Sequence, residues 1–246
     1  VDGWDDPRMP TLCGLRRRGY TARSILDFIG RIGVSKANSL VDIRLLESCI
    51  REELNETAPR RVCIGRPIKV IVDNYPEGKT EYFTLPNHPA KPPPKFFRMR
   101  PEGEVRLMGA YLVKCGEIVK NPDGTVKEIH CTADLETGCG MPADGRKVKG
   151  TIHWLSADYA EDTTLMLYDN LFTLENVADI PEGKTYDDYR NPDSAVRLEH
   201  AKIEPQMRTA APGDKFQFVR TGYFCADTKN PSTFNRIVGL KDGYKS

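Results

Sequence analysis

The apolar residues of this chain change their spacing once, at Ala58-Pro59, and no other feature constrains the fold as much. Upstream, Ile25, Leu26, Phe28, Ile29 and Ile32 recur at helical spacing, with Thr21 placed to cap the start and Gly33 to stop the end. After Ser39, the stripe Ile43, Leu46, Ile50 and Leu54 predicts a second helix. Pro59 closes this region, because its ring disfavours helical backbone at the preceding residue. From Val62 onward the pattern alternates instead. Residues 62–75, 79–85, 104–115, 125–134, 147–155, 163–174, 196–203, 214–227 and 234–240 all read as strands. Turn tokens such as Pro122-Asp123-Gly124 and Asp144-Gly145 separate several of them. The expectation is a mainly β chain: two antiparallel β-barrels preceded by a small α-helical connector subdomain.

Charge refines the expected boundaries. The chain of 246 residues carries a formal net charge of +1, yet that charge is unevenly spread. Residues 1–58 hold 9 Lys/Arg and 9 Asp/Glu, residues 59–118 hold 11 and 6, residues 119–200 hold 8 and 16, and residues 201–246 hold 8 and 4. Two basic segments thus flank an acidic one. The reading that follows is a connector at 1–58, a basic barrel built from 59–118 with 201–246, and an acidic barrel at 119–200, with a polyanion as partner. No apolar run approaches the roughly 18 residues of a membrane span. Seven cysteines in irregular spacing point to a reducing, cytoplasmic setting rather than a disulfide framework.

Familiar catalytic patterns fail on inspection. The token "PEGKT" occurs at 76–80 and 181–185, but Asp73 and Ala178 stand where a phosphate loop needs glycine, leaving two similar surface turns. His130, Cys131 and Cys139 lack paired zinc-ligand spacing, and His153, Ser156 and Asp158 are neighbours in sequence rather than a converging triad. Neither a catalytic nor a metal residue is assigned. RNA fits better. Arg60, Arg61, Arg66, Lys95, Arg98, Arg100 and Arg106 crowd one basic segment with Phe96 and Phe97, while Gln217 and Arg220 lie in the other. Arg and Gln are residue types that pair with base edges, and aromatic rings stack on splayed bases.

One stretch, "GWDDPRMPTLCGLRRRGYT" (3–21), resembles the segment that follows the nucleotide-binding signature loop of glutaminyl-tRNA synthetases. "LESCIREELNETAPR", "LPNHP", "GEVRLMGAYLVKC", "PADGRKVKGTIHWLSA", "FQFVRTGYFC" and "FNRIVGL" continue the resemblance, in order, along nearly the whole chain. It implies a C-terminal piece of a longer cytoplasmic, monomeric enzyme that joins glutamine to its tRNA using ATP and magnesium. The family's His-Ile-Gly-His and Met-Ser-Lys type motifs do not occur here, so the piece is expected to be inactive alone, to hold no cofactor itself, and to work with an upstream catalytic domain. Two other readings stay open: a free-standing RNA-binding or scaffold module, or the anticodon-binding part of a related glutamyl-tRNA synthetase.

The resemblance also implies roles for six residues. Arg60 matches the family's reader of the middle anticodon base, and Gln217 and Arg220 match the pair completing that pocket. Arg98, with Lys95 close by, falls at a position for the third base, and Arg106 at one for the first. Met108 stands where many relatives have a second basic residue, and the junction at 85–97 is shorter than the family's. For Arg16–Arg18 two roles are open, facing the inside of the tRNA bend or bracing the connector. Asp5 and Asp6 before Pro7 suit a turn or helix start.

Overall fold

The computed structural model of the protein describes residues 1–36, 39–85, 99–138, 140–142 and 144–241. Among these, three α-helices precede twelve strands: α1 (Leu12–Arg18), α2 (Ala22–Ile32), α3 (Ile43–Thr57), β1 (Arg60–Arg61), β2 (Cys63–Ile64), β3 (Lys69–Val72), β4 (Glu104–Leu107), β5 (Leu112–Lys120), β6 (Val126–Asp134), β7 (Thr151–Ile152), β8 (Glu161–Tyr168), β9 (Ala195–Ile203), β10 (Lys215–Phe218), β11 (Gly222–Ala226) and β12 (Thr233–Val238). The fold is mainly β, as the period-two pattern predicts.

The helix signals act where expected. The Thr21 hydroxyl accepts the Ser24 N–H at 3.0 Å and Gly33 ends α2. α1, a seven-residue helix missing from the sequence reading, uses the same device: Thr11 accepts the Gly14 N–H at 2.9 Å. Gly19 then closes it at φ +117°, a backbone region that suits glycine. The apolar stripe of α2 is buried only in part. Ile25 and Phe28 pack inward, whereas Leu26 is 68% exposed and Ile29 and Ile32 lie above 40%. α3 buries Leu46, Ile50 and Leu54 as expected, with Ile43 left outside.

The strands form two sheets, of order β1-β10-β11-β12-β8-β9-β2 and β3-β6-β5-β4-β7. The first nearly closes into a barrel, because its two edge strands are consecutive in the chain and only Val62 separates them. The second stays open as a half-barrel. Both are mixed sheets, which corrects the expectation of two antiparallel barrels. β1 runs parallel to β10, β12 to β8, β3 to β6 and β4 to β7. Each of these pairs joins strands far apart in sequence, which a hairpin pattern does not anticipate. The Pro122-Asp123-Gly124 token does form the tight β5–β6 turn, with Gly124 at φ +84°. Both "PEGKT" segments are surface turns, closed by Lys79 N–H to Pro76 O and Lys184 N–H to Pro181 O. The stretch at 79–85 forms no strand.

The chain divides into two compact units, residues 1–65 with 161–246, and residues 66–160. These differ from the division expected from charge. β8 and β9, placed in the acidic barrel by their neighbours' charge, pair instead with β12 and β2 of the larger unit. The larger unit holds 22 Lys/Arg against 23 Asp/Glu and the smaller 14 against 12, so the charge asymmetry along the chain does not survive folding. Backbone pairing follows hydrogen-bond ladders and apolar faces, neither of which a running charge tally records.

In the larger unit the sheet has two apolar faces. Cys63, Leu165, Phe218, Phe224 and Phe234 fill the barrel interior. On the outer face Tyr223, Cys225, Ile237 and Val238 meet Tyr20, Leu46, Ile50 and Leu54 of the helical layer. Covered on both sides, β11 is buried at every position. In the smaller unit Val105, Val113, Cys115, Ile129 and Cys131 form a separate core.

The charged N-terminal stretch is a brace within the larger unit. Arg17 pairs with the buried Asp227 at 3.2 Å and with Asp5 at 3.3 Å. Asn235, fully buried on β12, donates to Asp227 at 2.6 Å and to the Arg17 carbonyl at 3.2 Å. Arg18 donates to the carbonyls of Arg236 and Ile237. Of the two roles left open for Arg16–Arg18, Arg17 and Arg18 thus take the bracing one; Arg16 is exposed. Asp6 lies in a turn, as expected, but its partner is Arg8 at 2.6 Å rather than a helix end, and Arg8 continues to the Ser194 hydroxyl at 3.3 Å. Burial works against ionisation of Asp6, yet the hydrogen bonds from Arg8 outweigh it and hold the carboxyl well below its ordinary value.

Candidate nucleic-acid interface

Where α3 stops, the chain turns directly into β1. Ala58 N–H caps the helix on Leu54 O at 2.9 Å, and Pro59 and Arg61 carbonyls then receive the N–H groups of Gln217 and Val219 at 3.0 Å each. Arg60 thereby becomes the register partner of Gln217, although 157 positions separate them. Alternation decides which way Gln217 faces. Phe216 and Phe218 point into the barrel core, so Gln217 between them lies on the outer face, and Arg60 beside it shares that face. One strand further, Gln217 stands opposite Tyr223.

Side-chain hydrogen bonds tie this row to the helical layer. Gln217 Nε2 donates to Tyr223 Oη at 3.1 Å, and Tyr223 Oη donates to Asn55 Oδ1, on the last turn of α3, at 3.3 Å. Arg220 sits in the β10–β11 turn at φ +63°, an uncommon conformation for a non-glycine residue. The neighbouring Thr221 N–H closes the turn on Phe218 O at 2.9 Å. Burial pushes the Tyr223 phenol up in pKa, while the cations of Arg60 and Arg51 act on it in the opposite sense. Burial likewise lowers the Arg220 guanidinium, which nonetheless stays charged. Arg61 takes the other side of β1, 3.8 Å from Glu204, whose carboxylate also accepts the Val62 N–H.

The resulting group combines two guanidinium forks and one carboxamide from two chain segments, the start of β1 and β10 with the turn that follows it. It can donate several hydrogen bonds and accept at the amide oxygen, which is the equipment for a polar, planar, anion-bearing ligand. Among the described residues, no cluster of three or more His, Cys, Asp and Glu could hold a metal ion. His130, weighed as a possible ligand, instead pairs with Asp73 at 2.9 Å, which raises its pKa.

The structure thus brings together three of the six residues expected to bind RNA: Arg60, Gln217 and Arg220. Arg106 belongs to the smaller unit, on β4, where it is paired with Leu112 and Thr151 and donates to the Gly140 carbonyl at 2.7 Å. Lys95 and Arg98 lie outside the described residues, as do Phe96 and Phe97. Tyr223 and Asn55 were missed by sequence reasoning. Tyr223 reads as an ordinary strand aromatic and Asn55 as an ordinary exposed helix residue. Gly222 could have signalled the turn that sets Gln217 against Tyr223; the Asn55 bond had no local signal.

Comparison with known proteins now defines the class. Residues 1–56 match the catalytic-domain model of class I tRNA synthetases (E and Q), and residues 58–96, 93–134 and 151–227 match two anticodon-binding-domain models of the same group. The chain belongs to this family of class I tRNA synthetases. Within it, the chain is 46% identical to a glutamine–tRNA ligase of Xanthomonas axonopodis pv. citri, over 98% of this chain and 46% of the relative. It is 45% identical to that of Clostridium perfringens, over 100% of this chain and 49% of the relative, and 42% identical to that of Pseudomonas putida, over 100% and 48%. The chain therefore spans about half the length of the curated relatives it matches. The helices read as a connector align with the catalytic-domain model. No described helix is long and apolar enough to cross a membrane.

Proposed function

We propose that this chain is the anticodon-reading part of a glutaminyl-tRNA synthetase, whose complete form ligates glutamine to its tRNA with ATP and magnesium. The observation that carries the proposal is the side-by-side placement of Arg60 and Gln217 on β1 and β10, with Arg220 in the following turn. A base splayed from an anticodon loop offers the edge that such donors and acceptors fit, and its phosphates supply the negative charge. In this reading the three residues form the middle-base pocket, Arg106 serves the first base, and Arg98 with Lys95 serves the third. The two anticodon-binding modules are the family's two barrels, one nearly closed and one open here. The glutamine-specific names of the relatives favour this reading over a glutamyl one.

Catalysis belongs to the rest of the enzyme. This chain carries neither ATP-binding motif, so alone it binds tRNA without charging it, in the cytoplasm and as a monomer. The test is a titration of the 246-residue chain with the anticodon stem-loop of a glutamine tRNA and its single-base variants. Arg60→Ala is expected to narrow discrimination at the middle base by about 1–3 kcal/mol. An unchanged affinity ratio between the parent hairpin and its middle-base variant would refute the pocket. Binding is also expected to weaken steeply with salt, as released counterions accompany phosphate contacts.

A further inference from the structure

We propose that Tyr223 and Asn55 are positioning residues that decide which end of the Gln217 carboxamide faces the ligand, and with it which base edge the pocket accepts. The inference rests on the anticodon-reading function proposed above. A side-chain amide has two orientations that exchange donor and acceptor, and each one fits the opposite hydrogen-bonding pattern on a base. Nothing in a strand's backbone chooses between them. Here a relay chooses. Tyr223 has a single hydroxyl proton and gives it to Asn55 Oδ1, so toward Gln217 its oxygen can only accept. Gln217 must then turn Nε2 to the phenol and Oε1 away from it. As long as Asn55 keeps Oδ1 toward the phenol, the reverse Gln217 orientation would set the amide oxygen against a hydroxyl whose proton is already committed, leaving two acceptors facing each other.

The phenol end of the relay is held, and Asn55 meets it from the exposed side of α3. Tyr223 is 2% exposed and packs in the layer of Leu54, Ala58 and Val238, which fixes its ring. Asn55 rides on α3, next to buried Leu54 and five residues before Arg60. The helix end that launches the Arg60 strand therefore also sets the orientation of the Gln217 amide. With Oε1 turned from the phenol, the pocket offers one acceptor beside the donor forks of Arg60 and Arg220. A flipped amide would offer only donors there, and would favour a different base.

The experiment measures the ratio of dissociation constants for the glutamine anticodon hairpin and its middle-base variant, using the 246-residue chain. Tyr223→Phe keeps the packed ring and removes the hydroxyl; it is expected to reduce the ratio on the order of three- to tenfold, the value of one oriented hydrogen bond. Its salt dependence should stay that of the parent, since no phosphate contact is touched. Asn55→Ala should reduce the ratio in the same way, whereas Asn55→Asp, which keeps an acceptor for the phenol, should retain it even if both hairpins bind more weakly. A purely structural tyrosine would lower the melting temperature and leave the ratio alone, and that result overturns the inference. If Arg60→Ala narrows the ratio while Tyr223→Phe does not, the anticodon reading stands and the relay falls. If the parent chain shows no preference between the hairpins, both fall.

Discussion

Replacing Arg17 by Met tests whether the N-terminal arginines brace the larger unit. Arg17 donates to Asp227 through Nε and Nη2 at 3.2 and 3.4 Å, and to Asp5 through Nη1 at 3.3 Å. The Asp227 side chain is 1% exposed, so removing its cation leaves a buried charge, which in the barest case costs about 3–5 kcal/mol. Here the carboxylate keeps donors from Asn235 Nδ2 at 2.6 Å and from the Lys229 and Asn230 N–H groups at 2.7 and 2.8 Å. With those retained, the loss falls toward that of hydrogen bonds to a charged group, about 2–3 kcal/mol. For a unit of this size, that lowers the melting temperature by about 4–12 °C. Thermal unfolding of Arg17→Met, Asp227→Asn and the double variant, followed by circular dichroism, gives the coupling directly. The bracing role is refuted if Arg17→Met melts with the parent, or if the two single effects add to within about 0.5 kcal/mol.

Two further expectations concern the same unit. A Cβ at Gly19 would lie 2.6 Å from Cys225 Cβ and 2.7 Å from Ile237 Cδ1, on backbone at φ +117°, so Gly19→Ala combines strain with overpacking. It should cost roughly 3 kcal/mol in a urea titration, and a midpoint equal to the parent's would contradict the packing described. Asp6 and Asp227 both have folded pKa values depressed below the ordinary 3.8, so their contribution is fully present above that value and is lost as pH falls below it. Urea midpoints should therefore drop as the pH falls below about 4, with a shallower drop in Asp227→Asn; an equal slope in parent and variant counts against a coupled Asp227.

Much of the local structure was legible in the chain. Thr21, Gly33, the α3 stripe and the Pro122-Asp123-Gly124 turn each act through their nearest neighbours, and a window of a few residues contains every group involved. α1 escaped because seven residues hold too few apolar positions for a periodicity, and only its Thr11 and Gly19 ends mark it. The exposed Leu26, Ile29 and Ile32 misled for the opposite reason: a regular stripe states that a face is apolar without saying what covers it.

By itself, the sequence determined the change from helix to strand at Pro59, the faces on which each strand carries apolar groups, and, through motifs spread along its length, the family. Tertiary structure alone decided that β1 lies against β10, that β12 runs parallel to β8, and that Arg17 reaches Asp227 across 210 positions. The physical reason is that alternation fixes the side a residue faces but not its neighbour across the ladder. That neighbour depends on register, and register is settled only when hydrogen bonds and buried surface from distant segments are satisfied together. Gln217 beside Arg60 and opposite Tyr223 is a consequence of register in this sense.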